Sequence, residues 1–172
     1  VGCDPANSDL EQKLRADINL AEGTISVFRG NQNEPIVVQN ARPEHRPYLH
    51  PIAAPDGKGF VTEYSPGHHK HQTGLYWGFT RVNGEPVNHD SLMTFFYKPD
   101  KTAEQIRIKG RDYFHNPGEG FWKRVSFNVI DSLGEKVSWQ TVYQMLAENG
   151  EPLLEETQIW SVQENDGEYL LE

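Results

Sequence analysis

From Val137 to Met145 the residues Val137, Trp139, Thr141, Tyr143 and Met145 alternate with Ser138, Gln140, Val142 and Gln144. Successive side chains of an extended chain point to opposite faces, so this spacing predicts a strand with one largely apolar and one largely polar face. Such a strand covers a core with one side and meets water or a ligand groove with the other, as antiparallel sheets do. β-Prone runs recur along the chain as TISVFRG, PIVVQN, PYLHPIAA, GFVTEY, TGLYWGFTRV, LMTFFYK, QIRIK, RVSFNVID and ETQIWSV. Turn residues separate them at Pro55-Asp56-Gly57, Pro66-Gly67, Asn83-Gly84, Asn116-Pro117-Gly118 and Asn149-Gly150. About ten short strands at this spacing predict an all-β fold, an antiparallel β-sandwich or a close relative.

One helical signal precedes the strands. Ser8-Asp9-Leu10-Glu11 has capping-box spacing, and Leu10 with Leu14 gives an apolar stripe, so a short helix or turn is expected to open the domain. The chain is read as an N-terminal tail with that helix or turn over 1–23 and a β domain over 24–172. The final DGEYLLE reads as another strand with no later partner, which leaves the sheet open at that end.

Bulk properties narrow the partners. The 172 residues suffice for one domain with a hydrophobic core. A formal net charge of −9 argues against a phosphate backbone as partner, because nucleic-acid binding needs clustered Lys and Arg. No apolar run reaches the length of a membrane-spanning helix. Cys3 is the single cysteine, so no intrachain disulfide can form. Val1-Gly2-Cys3 followed by Asp4 looks like the end of a bacterial lipobox, which implies a periplasmic or extracellular protein lipid-anchored through Cys3; the alternative is a free thiol in a frayed terminus.

The densest chemistry lies in SPGHHKHQTGLYWG, residues 65–78, where His68, His69 and His71 occupy three of four positions. In an extended chain His69 and His71 share a face and could present two imidazoles to one divalent metal, with His50 as the third ligand and His45, His89, His115, Glu63 and Asp56 as other donors. A histidine titrating near neutral pH suits general acid or base work equally well. Tyr76 and Trp77, with Tyr64 before the turn and with Tyr48 and His68, would then bind a flat or sugar-like ligand. Against both stands a plain polar turn in which Leu75, Trp77 and Phe79 are core. Trp122, Trp139 and Trp160 are expected in the core, and Arg42, Arg46 and Arg81 are expected in solvent.

RPYLHPIAAPDG followed by HHKHQTGLYWGFTRVNG resembles the PmoA-like family of bacterial proteins of largely unknown function. The match is carried by Pro47, Tyr48, His50 and Pro51, then by His68, His69, His71, Gly74, Leu75, Trp77 and Gly78, and extends over about Ile36 to Leu171. The resemblance implies a β-sandwich, of jelly-roll or mutarotase-like supersandwich type and incomplete at its C-terminus, with an insertion near 85–110. It also implies a secreted protein associated with polysaccharide use, without the membrane-bound oxygenase activity that the family name evokes.

The leading expectation is therefore a domain that handles a carbohydrate-like ligand. His50, His69 and His71 act as acid/base or metal ligands, and Trp77 shapes the site. The rival is a binding or assembly module that pairs through an open sheet edge, as a homo-oligomer or with a missing C-terminal half. A cupin-like metal oxygenase is a third reading. It is weakened because Gln72 to Tyr76 lacks the glutamate that follows the cupin His-x-His.

Overall fold

A computed structural model describes residues 13–64, 69, 71–86, 102, 109–165 and 168–172. Ten strands form, and every pairing is antiparallel: β1 Leu14–Asn19, β2 Thr24–Arg29, β3 Val37–Asn40, β4 Tyr48–Ile52, β5 Leu75–Tyr76, β6 Trp122–Asp131, β7 Leu133–Gly134, β8 Lys136–Leu146, β9 Pro152–Asn165 and β10 Glu168–Leu171. They build a six-stranded sheet, β5-β4-β3-β2-β1-β7, and a four-stranded sheet, β10-β9-β8-β6. Among the described residues the fold is all-β and sandwich-like, as the alternation predicts. No helix of the described residues is long and apolar enough to cross a membrane.

The chain divides into two compact units. Val1–Tyr76 with Gly118–Glu172 carries both sheets, and Trp77–Pro117 is the second unit. The expected insertion near 85–110 lies in the second unit and mostly outside the described residues.

The core of the first unit is filled from both sheets. Leu14, Ala16, Ile25, Val27, Val37 and Leu49 come from the larger sheet, and Val137, Trp139 and Val162 from the smaller. Alternation on β8 buries Val137, Trp139, Thr141, Tyr143 and Met145, with Ser138 as an additional buried position next to Asp131. Trp139 donates from Nε1 to Gln39 Oε1 at 3.1 Å, and Gln39 donates from Nε2 to the Asn40 and Tyr48 carbonyls at 3.0 and 3.2 Å. That network joins the two sheets and leaves no polar atom of the Gln39 side chain unsatisfied in the interior. Tyr143 adds a second tie by donating to the Arg42 carbonyl at 2.7 Å.

The structure corrects several expectations. Leu14 does not belong to a helix but begins β1 and is fully buried, paired with Arg29 on β2 and Gly134 on β7. The capping-box residues 8–11 lie outside the described residues. GFVTEY forms no strand. It touches its neighbours through the isolated bridges Ala53–Phe60 and Tyr64–Thr73, and Phe60, Val61 and Tyr64 are largely exposed. DGEYLLE does form a strand, β10, which folds back on β9 through Glu168–Asn165 to Leu171–Val162. LMTFFYK and all of QIRIK except Lys109 lie outside the described residues. Arg46 is completely buried rather than solvated. Trp122 and Trp139 are buried as expected, and Trp160 packs on the core while half-buried.

Candidate functional site

β4 carries Tyr48 and His50 beside the segment Phe60–Tyr64, which runs back along it. Val61 donates its N–H to the Ile52 carbonyl at 2.9 Å, and Ile52 donates its N–H to Thr62 Oγ1 at 3.0 Å. Thr62 Oγ1 also lies 3.0 Å from His50 Nδ1, so one hydroxyl pins the segment to the strand and fixes the imidazole. Asn40 holds the His50 carbonyl at 2.7 Å. The rings line up as His45, Tyr48, Tyr64, His50 and Phe60, with successive centroids 5.7, 6.0, 6.0 and 6.3 Å apart. Tyr48 is buried, whereas Tyr64 and Phe60 are 49% and 62% exposed and flank the half-buried His50. Burial lowers the His50 pKa from its ordinary value, which favours the neutral ring.

β5 is held against β4 by glycine. Gly74 has φ +87°, and a Cβ there would fall on the Leu49 carbonyl oxygen and within 2.8 Å of His50 Cβ. The missing side chain lets Leu75 pair with Leu49 and Tyr76 with Tyr48.

The described part of the histidine turn is organised by Arg46. Its guanidinium lies 3.5 Å above the Tyr76 ring, donates to the His71 carbonyl and reaches Thr73 Oγ1 at 3.5 Å. Burial is the main cause that brings its pKa down to about 10, with Tyr76 and Glu156 opposing the shift. Glu156 on β9 is pushed above the ordinary carboxylate range by burial, against a hydrogen bond from Gln158 and the charge of Arg46. Its Oε2 is buried without a hydrogen-bond partner among the described residues. The His69 and His71 rings meet edge-on with centroids 5.7 Å apart, and Gln72 donates its N–H to the His69 carbonyl at 2.9 Å. His68 lies outside the described residues, as do Cys3 and His89.

In the second unit Trp77 and Phe79 are 57% and 54% exposed, so neither is a core residue, contrary to the plain-turn reading, and Leu75 is exposed as well. The same unit holds a buried ionic cluster. Asp112 accepts from Lys109 Nζ at 2.9 Å, from the His115 N–H at 3.1 Å, and lies 3.0 Å from His115 Nδ1. Burial raises the Asp112 pKa, but these hydrogen bonds and charges outweigh it and hold the carboxyl below its ordinary range.

Of the sequence-predicted residues, the structure places Tyr48 and His50 together on β4, Tyr76 opposite Tyr48, and His69 beside His71. Trp77 belongs to the other unit. Among the described residues, no three His, Cys, Asp or Glu side chains gather in a way that could hold a metal ion. Sequence reasoning missed the roles of Arg46, Thr62 and Glu156. Arg46 stands in the quoted RPYLHP stretch, but nothing in its local pattern announces burial. Thr62 acts on Ile52 and His50, ten and twelve residues away, and Glu156 meets the charge of Arg46 from a strand far along the chain.

The fold and these residues define an all-β domain with an aromatic, histidine-bearing face on β4. A model of a family of unknown function, DUF6807, matches residues 33–172, and the chain belongs to that family. No curated protein and no solved structure matches it.

Proposed function

We propose that the domain binds a carbohydrate-like ligand across the face of β4, with its apolar ring face against Phe60 and Tyr64 and a hydroxyl directed at His50. The observation that carries this reading is an imidazole pinned at Nδ1 by Thr62 between two exposed aromatic rings. Aromatic faces suit the C–H surface of a sugar ring, and a fixed imidazole can accept a hydroxyl proton or return one. His69, His71, Tyr48 and Tyr76 stay in the proposal as further site residues, with a divalent metal on His69 and His71 as its cofactor. Secretion with lipid anchoring at Cys3, and the PmoA-like resemblance of the two-part histidine motif, belong to the same proposal.

A glycan array probed with the intact chain tests the ligand class. Binding of neutral saccharides that is lost in His50→Ala and Tyr64→Ala, both still folded, supports the reading; no binding to any saccharide contradicts it. Metal content by mass spectrometry, compared with His69→Ala, tests the cofactor separately.

A second reading, an assembly module, is favoured by β9. Beyond its pairing with β8, only Val162–Asn165 is paired with β10 and Ser161 is bonded to Glu172. Pro152–Trp160 therefore presents a strand edge without a paired strand among the described residues, with Ile159 63% exposed. Light scattering decides it: a dimer or larger species at micromolar concentration supports pairing through this edge, and a strict monomer opposes it.

A further inference from the structure

The first unit carries an open pocket of about 370 Å³ lined in part by Phe60, whose ring also meets His50. This volume lies at the low end of the roughly 300–1,000 Å³ that small-molecule sites occupy, so it suits a ligand of one or two rings. Its walls are divided by chemistry. Ile36, Pro51, Ala53 and Phe60 make an apolar side, and Arg29 and Tyr169 bring polar groups from β2 and β10.

The loop at residues 54–59, which lines one part of the cavity, is braced from within. Ala54 donates its N–H to the Gly59 carbonyl at 2.9 Å, Gly57 to the Ala54 carbonyl at 2.9 Å, and Lys58 to Asp56 Oδ1 at 3.0 Å. A cavity lined by a self-bonded turn is preformed there, which lowers the ordering cost of binding.

Charge limits what can enter. The Arg29 guanidinium is already paired with Glu164, whose carboxylate also acts on Tyr169, and Glu34 adds a second carboxylate at the cavity. One cation against two carboxylates offers no surplus positive charge for an anion. Among the described residues, Arg29 Nε and Glu164 Oε2 are buried without hydrogen-bond partners, so the pair at this wall is incompletely satisfied.

We infer that this cavity is a binding site for a small uncharged ring compound, its flat face on Phe60 and Pro51 and its hydroxyl or amide edge toward Arg29 and Tyr169. The site shares Phe60 with the His50 face but does not depend on catalysis or sugar binding there.

The test uses the intact chain and two neutral probes, benzamide and methyl β-D-glucopyranoside, with benzoate as the charged isostere of benzamide. Backbone NMR shifts are followed during titration to millimolar concentration. At least one neutral probe should shift Ala53, Phe60 and Tyr169 saturably. Benzoate should bind at least about tenfold more weakly than benzamide where benzamide binds, because it meets the two carboxylates. Ala54→Phe, which fills the space, should abolish binding while the rest of the spectrum is kept, and Tyr169→Phe should weaken it. Neither neutral probe shifting the cavity residues, benzoate binding as well as benzamide, or undiminished binding in folded Ala54→Phe would each overturn the inference. If Ala54→Phe does not fold, the shift map and the benzoate comparison on the unmodified chain decide. Loss of saccharide binding in His50→Ala with cavity binding retained would show that the two sites are separate.

Discussion

Arg46 shows how much one residue can hold. A fully buried guanidinium is tolerated only where charge and hydrogen bonds compensate it, and here the His71 carbonyl, Thr73, the Tyr76 ring and Glu156 supply that compensation. Replacing it by methionine removes the anchor of the histidine turn and leaves Glu156 without its cation. Arg46→Met should cost about 3–5 kcal/mol in urea denaturation, the range for breaking a buried pair, and a loss below about 1 kcal/mol would contradict this role. Glu156 gives the complementary pH prediction. Its folded pKa is raised, so the native state retains a proton that the unfolded chain releases. The contribution is therefore present below the ordinary carboxylate pKa and is lost as pH rises through the raised folded value. Denaturation curves across that window should show the loss in the unmodified protein and a flatter dependence in Glu156→Gln. Asp112 runs the other way: its folded pKa is lowered, so its contribution holds above the ordinary value and is lost as pH falls through the folded one. None of these burial states could be read from sequence, because an arginine before Pro47 and a glutamate in a polar-looking strand have the local pattern of surface residues.

At the scale of elements, the strands that alternate were legible and those that do not were misread. β8 shows its faces in the sequence because Val137, Trp139, Thr141, Tyr143 and Met145 line the sandwich interior. β1 was hidden because it has few buried positions, Leu14 and Ala16, and the preceding polar residues carry a helix-start signal. GFVTEY has β propensity but no continuous partner, and its aromatic residues face outward at the candidate site rather than into the core. The run is therefore an exposed segment with the composition of a strand. The pairing of β5 with β4 depends on Gly74, where positive φ and the close Leu49 carbonyl both exclude a side chain. Gly74→Ala should destabilise by more than about 1 kcal/mol and shift the His50 resonances, whereas Gly118→Ala, which meets open space, should do neither. The sheet-joining hydrogen bond behaves similarly. Gln39→Ala leaves the Trp139 indole N–H buried without its acceptor and should cost about 1–3 kcal/mol by chemical denaturation.

At the largest scale, the two antiparallel sheets of the first unit support an exposed face on β4. β4 is bonded to β3 on one side and β5 on the other, so His50 stands on a strand held from both flanks. Sites on such strands keep their geometry better than sites on loops. The sequence points to His50, to the turn at 69–71 and to Tyr64 as an aromatic platform residue, whereas nothing in it sets Phe60, the other aromatic partner of His50, apart from the rest of a β-prone run. The proposed function requires that His50 meet a saccharide between Phe60 and Tyr64. The most direct measurement follows the His50 ring by NMR, assigned with His50→Gln, while neutral mono- and oligosaccharides are added to the unmodified chain. The proposed function predicts a saturable shift of the His50 ring, accompanied by Phe60 and Tyr64, with at least one saccharide. An unmoved His50 ring throughout the panel would contradict it.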